Sequence, residues 1–294
     1  MHFQKVTLVG VGLLGGSLGL ALKQRRLAAR VEGYVRRQAS IAECEQLGVV
    51  DKATCDLAAA VKDAELIVLC TPLAQMRALV EQMLPSVRSG TVITDVGSVK
   101  GSVIKDLEFP ISQAESCFVG SHPMAGSEKV GVAAAKADLF ENAICVITPT
   151  QRTKKDALRK VEGLWKAVGS RVMQLSPDMH DDLVSRSSHL PHVVAAELSN
   201  YVLSPVHPKE QAMLCANGFK DTTRIAAGSA EMWRDISLAN RKNLSRVLGV
   251  FIEDLQEFQH ALEHEDHKVI EDFFLKAKER REQWCANSAS PSPE

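Results

Sequence analysis

No Cys-x-x-Cys pair occurs in this chain; its seven cysteines (Cys44, Cys55, Cys70, Cys117, Cys145, Cys215 and Cys285) are odd in number and scattered. That pattern argues against a disulfide framework and reads as free thiols in a reducing compartment. Charge of one sign is also missing. With a formal net charge of -1, the chain offers no overall basic field, so nucleic acid and membrane surfaces are not expected partners. No apolar run is long enough to span a bilayer. Met1 to Lys5 lead straight into an apolar segment, without the basic region, apolar stretch and cleavage site of a signal peptide. A cytoplasmic protein acting on a small-molecule substrate is expected.

What is present is an ordinary globular composition, 45% hydrophobic and 24% charged over 294 residues, which suits two domains. The first part alternates helical stretches with short β-rich runs: Val6–Val9, Val31–Val35, Leu66–Leu69, Val92–Thr94, Phe118–Val119 and Ile144–Ile147. Runs apolar throughout belong to strands buried on both faces, as in a parallel sheet between helix layers. A helix from Lys155 to Val168 and a last strand from Arg171 to Leu175 close this part. The expected class is therefore α/β, an N-terminal Rossmann-like doubly wound sheet over 1–176, followed by an all-α substrate and dimerisation domain over 177–286. A polar tail, 287–294, is expected to be disordered. In the last long helix Leu244, Leu248, Phe251, Leu255, Phe258 and Leu262 keep one apolar seam. That seam suits packing within its own domain or a homodimer interface through the helical domain.

Gly10-Val11-Gly12-Leu13-Leu14-Gly15 lies between an apolar strand and a helical stretch. In that setting Gly10 makes the tight turn, Gly12 lets backbone approach a pyrophosphate, and Gly15 lets helix pack on strand. The pyrophosphate would rest on the amides at the positive helix end. Leu13, Leu14 and Thr71 join these glycines as candidate cofactor contacts. At the end of the second strand, the position where an acidic residue would bind ribose hydroxyls falls on Val35. Arg36 and Arg37 follow, and the nearest acid, Glu32, lies earlier in the strand. Guanidinium groups suit a 2′-phosphate, so NADP is expected over NAD.

Two polar clusters fall where strands should end, Asp95-Val96-Gly97-Ser98-Val99-Lys100 and Gly120-Ser121-His122-Pro123-Met124-Ala125-Gly126-Ser127-Glu128. The second, with Asp138-Leu139-Phe140, His189-Leu190-Pro191-His192, the run Gly218 to Ala226 and Met232-Trp233, resembles the prephenate and arogenate dehydrogenase family of tyrosine biosynthesis over nearly the whole chain. The resemblance implies oxidative decarboxylation of a cyclohexadiene whose ring bears a hydroxyl opposite a carboxylate, giving 4-hydroxyphenylpyruvate or tyrosine. It implies His122 as the base on the ring hydroxyl and Ser98 beside that hydroxyl and the nicotinamide. Arg224 would hold the ring carboxylate, His192 would line the substrate pocket, and Glu128 and Asp221 would lie at its entrance.

His189 and His192 lack a third ligand of matching spacing, and His260, His264 and His267 sit among acids as a solvated face, so no metal is expected. Trp233 and Phe219 are read as core. No fused mutase or regulatory domain is expected. Alternatives are a β-hydroxyacid-dehydrogenase-like enzyme, with a lysine for proton transfer, and a non-catalytic NADP-binding sensor. Whether the substrate side chain is keto or amino is open.

Overall fold

The structure is a computed structural model that describes residues 2–126 and 129–289. β1 (Phe3–Val9), β2 (Ala28–Tyr34), β3 (Lys52–Thr54), β4 (Leu66–Leu69), β5 (Val92–Asp95), β6 (Cys117–Pro123), β7 (Ile144–Thr148) and β8 (Arg171–Gln174) form one eight-stranded sheet in the order β3-β2-β1-β4-β5-β6-β7-β8. Between them run α1 (Leu13–Gln24), α2 (Ala39–Gln46), α3 (Leu57–Val61), α4 (Leu73–Met83), α5 (Gly101–Gln113) and α6 (Lys155–Ala167). Along β1, Val6 and Leu8 enter one core and Val9 the other, the period-two alternation of a strand covered on both faces. One core joins α1 and α6 to the sheet through Leu18, Leu22, Val161 and the fully buried Trp165. The other joins α4 and α5 through Met76, Val80, Leu107 and Ile111.

The sheet departs from the all-parallel expectation once: β7 is antiparallel to β6 and β8 parallel to β7. Apolar runs report burial and not direction. Between Pro123 and Ile144 the described chain holds only a short 3-10 turn, Val132–Ala134, and lacks the crossover helix that returns a parallel strand. β6 also changes partner along its length. Cys117, Phe118 and Val119 pair with β5, whereas Gly120 to Pro123 pair with β7.

No strand follows Gln174 among the described residues. The chain continues as α7 (Pro177–Val184), a π turn (Ser185–His189), α8 (Leu190–Val202), α9 (Lys209–Met213), α10 (Asn217–Thr223), a 3-10 turn (Arg224–Ala227), α11 (Ala230–Ala239), α12 (Arg241–Glu263) and α13 (His267–Ala289). Two compact units divide at Asn243 and Leu244. In the second, Phe258 packs on Phe273 and Phe274 with ring centroids 4.6 and 5.8 Å away. α13 runs through Ala289, into the stretch read as a tail. No described helix is long and apolar enough to cross a membrane.

Candidate active site

The loop from β1 to α1 has the geometry of an anion cradle. Gly10 has φ +98°, and a Cβ there would lie 2.8 Å from Thr71 Cγ2 and 2.9 Å from the Cys70 carbonyl oxygen. A Cβ on Gly15 would lie 2.1 Å from the Gly10 carbonyl oxygen, so the first turn of α1 packs on the loop as only glycine permits. At Gly12, the N-cap of α1, a Cβ would meet nothing within 4 Å. That open space faces the unsatisfied N–H groups of a twelve-residue helix. Leu13 and Leu14 start that helix half-buried, and the buried Thr71 hydroxyl has no partner among the described residues. An orphaned donor beside a glycine cradle and a free helix end fits a dinucleotide.

At the end of β2, Val35 is 5% exposed and packed in the core. Arg36 and Arg37 are exposed. Glu32 is buried and engaged by Lys5 at 2.7 Å and by Arg30, so its carboxylate is taken up within the sheet.

His122 lies in the half of β6 that pairs with β7, opposite Val146. Its Nδ1 is 2.8 Å from His180 Nε2, and His180 Nδ1 is 2.8 Å from Asp181 Oδ1. α7 brings both partners; its start is set by Ser176, whose hydroxyl accepts from the Met179 N–H. Asp181 also accepts the backbone N–H groups of Lys100 (2.7 Å) and Gly101 (2.8 Å). The chain of bonds fixes the tautomers. A carboxylate only accepts, so His180 Nδ1 donates to it; His180 Nε2 then accepts from His122 Nδ1, leaving His122 Nε2 with a lone pair. Burial first, then the neighbouring His180, Lys100 and His189, hold His122 well below the usual imidazole range.

Ser98 follows β5 and is itself half-buried, in a loop whose other residues, Val96, Gly97, Val99 and Lys100, are buried. Lys100, fully buried, is paired with Asp95 and donates to the Ser121 carbonyl at 2.7 Å. His189 is buried in the π turn, with Nδ1 3.2 Å from Asn240 Nδ2, which donates to the Asp181 carbonyl at 2.8 Å. Burial pushes His189 down to about 4, opposed by Asp181.

His192, on α8, stacks on Trp233 at a centroid distance of 3.7 Å and 28° between planes, with its Nδ1 2.9 Å from the Ser188 carbonyl. Its pKa is lowered by burial; the Ser188 carbonyl opposes this and the nearby Arg224 charge adds to it. Arg224 begins the 3-10 turn and is exposed, as is Asp221 on α10. Glu128 lies outside the described residues. The geometry thus gathers His122, His180, Asp181, Lys100 and His189 in one buried cluster and sets Arg224 near His192.

Sequence reasoning missed His180, Asp181 and Asn240, and gave Lys100 no role. A His-Asp pair just after a Ser-Pro helix start was the available signal for the first two. Trp233, read as core, is half-buried and forms the stacked face of His192.

Comparison with known proteins finds relatives over nearly the whole chain. Residues 18–174 match the nucleotide-binding domain of prephenate dehydrogenases and residues 176–276 their dimerization domain. The chain is 36% identical over 283 residues to the prephenate dehydrogenase of Bacillus subtilis, covering 94% of this chain and 75% of that protein. It is 32% identical to the cyclohexadienyl dehydrogenase of Zymomonas mobilis, covering 95% of each. The crystal structure of prephenate dehydrogenase from Aquifex aeolicus, in complex with hydroxyphenyl propionate and NAD+, superposes with a TM-score of 0.89 at 31% identity, over 96% of this chain and 99% of that one.

Proposed function

This chain belongs to the prephenate dehydrogenase family and is a nicotinamide-dependent dehydrogenase, and on that premise we propose that it oxidises prephenate or arogenate with loss of carbon dioxide, using NADP in preference to NAD. Residues 1–176 hold the dinucleotide, and residues 177–286 complete the substrate pocket and pair two subunits. The single observation that carries the reading is the His122–His180–Asp181 relay, since oxidation at a ring hydroxyl needs a neutral base with a fixed lone pair.

A bound cofactor supplies a hydride acceptor. His122 Nε2 takes the hydroxyl proton as the carbon–hydrogen bond breaks, and returns it to the phenolate oxygen formed when carbon dioxide leaves. The Asp181 carboxylate, bonded to His180, holds the ring orientation and stabilises the transient imidazolium. Ser98 positions the hydroxyl. Arg224 pairs with the ring carboxylate, the stacked His192 and Trp233 wall the pocket, and Glu128 and Asp221 order charge at its entrance. Gly10, Gly12, Gly15, Leu13, Leu14 and Thr71 cradle the pyrophosphate, and Arg36 and Arg37 meet the 2′-phosphate.

The test mixes pure protein with prephenate or arogenate and with NADP or NAD, following reduced cofactor by absorbance. Reduction with either substrate is expected, and its absence in all four mixtures overturns the assignment. The ratio of catalytic efficiencies decides the substrate side chain.

A further inference from the structure

Lys100 and Asp95 form a fully buried ion pair that the proton relay does not use. The two oxygens of Asp95 hold two backbone N–H groups, Gly97 on Oδ2 at 2.9 Å and Ser121 on Oδ1 at 3.1 Å. Gly97 precedes Ser98, and Ser121 precedes His122. One carboxylate therefore anchors the peptides leading into both residues, and the Lys100 ammonium, bonded to that carboxylate and to the Ser121 carbonyl, closes the ring. The Lys100 backbone N–H donates at 2.7 Å to Asp181 Oδ1, the same oxygen that His180 Nδ1 contacts.

We infer that Lys100 is a positioning residue: with Asp95 it sets the register between the Ser98 loop and the His122 end of β6, and through its main chain it holds Asp181 behind the relay. This rests on the reading of His122 as the base. A buried ion pair is a poor source of net stability, because desolvation offsets the attraction, and isosteric apolar replacements are often neutral. Its return here is geometric. The ammonium also acts on His122 in the same sense as burial, His180 and His189, favouring the neutral ring; Asp95, Asp181 and Cys145 are the other ionisable groups about the cluster.

Two variants test this, Lys100→Met and the charge-neutral Asp95→Asn/Lys100→Met. Both are expected to lower kcat by about tenfold to a hundredfold, the usual effect of losing a group that orients a reacting one, with cofactor KM nearly unchanged. Losing the cation alone should raise the His122 pKa and move the acid limb of the pH–rate profile upward; the double variant should move it less. A double variant with wild-type melting temperature, kcat and pH profile overturns the proposal, as does failure of both variants to fold, which would make the pair purely structural. If the wild type reduces no cofactor, the catalytic reading fails, and the His122 Cε1 proton signal decides the positioning claim alone. Its titration midpoint should lie at higher pH in Lys100→Met than in the wild type, since one of the charges opposing protonation is gone; an unchanged midpoint overturns it.

Discussion

His122 and His180 meet edge to face, ring planes 71° apart, with one nitrogen of each 2.8 Å from the other. The contact uses up His122 Nδ1 and leaves Nε2 free of that bond, for the role of base proposed above. His122→Asn is expected to lower kcat by on the order of a hundredfold or more, with the cofactor dissociation constant nearly unchanged. Steady-state kinetics and cofactor titration check it; a variant that keeps most of its turnover removes His122 from the role of base.

If His122 is the base, as proposed, its depressed pKa sets the pH dependence. Because the ring resists protonation, the acid limb of kcat/KM should lie below about pH 6.5, where a free imidazole would begin to charge. Stability follows the same sign at His189, which burial holds at about 4. The unfolded chain takes up that proton near pH 6.5 and the folded one only near 4. This contribution is therefore complete above about pH 6.5 and is lost as pH falls toward 4. Urea midpoints at about pH 7.5 and pH 5 measure the loss, and His189→Asn should reduce it. An unaltered slope in that variant assigns the loss to other groups.

Arg224 is exposed and begins the 3-10 turn, with its charge felt by His192. Arg224→Ala should raise substrate KM by about tenfold or more, the scale of one charge-assisted contact, with a smaller effect on kcat. Unchanged KM for prephenate and arogenate would put the ring carboxylate elsewhere.

Replacing Arg36 and Arg37 together by serine should lower catalytic efficiency with NADP by about tenfold to a hundredfold and leave NAD nearly untouched. Wild-type efficiency with NAD equal to that with NADP would make both arginines ordinary surface charges. Val35, where an acidic residue would be sought by counting, is packed in the core. Val35→Asp should therefore lower the melting temperature without moving preference toward NAD, since a buried carboxylate there has no partner.

Leu255, Leu262, Phe274 and Trp284 are 47%, 51%, 60% and 63% exposed, an apolar surface costly to leave in water. A homodimer through α12 and α13 is expected at micromolar concentration, and Phe274→Asp/Trp284→Asp should yield monomers. Light scattering that reports a wild-type monomer would return the seam to packing within one chain.

The doubly wound sheet was legible because β1, β4, β5 and β7 carry short, mostly apolar runs, and such runs without alternation mark strands covered on both faces. β3 was not, since Lys52-Ala53-Thr54 is too short to carry a period. The glycine loop was legible as well: Gly10 and Gly15 meet steric demands that a larger residue fails, and Gly12 opens onto free space at the helix end. His180 and Asp181 were missed because the local His-Asp pair does not by itself show a site: their role depends on which helix reaches the end of β6, a tertiary fact. Lys100 stood in a recognised cluster, but a lysine in a loop reads as solvated unless its burial is known.

The exchange of partners along β6 bears on how the enzyme is made. Cys117 to Val119 can join β5 as soon as they leave the ribosome, but Gly120 to Pro123 have no strand beside them until Ile144 to Thr148 emerge. The nucleotide half of the domain can thus assemble first during synthesis. The segment bearing His122 is paired only after residue 148 is made, so a nascent chain stalled between these points would hold the glycine loop and no ordered His122.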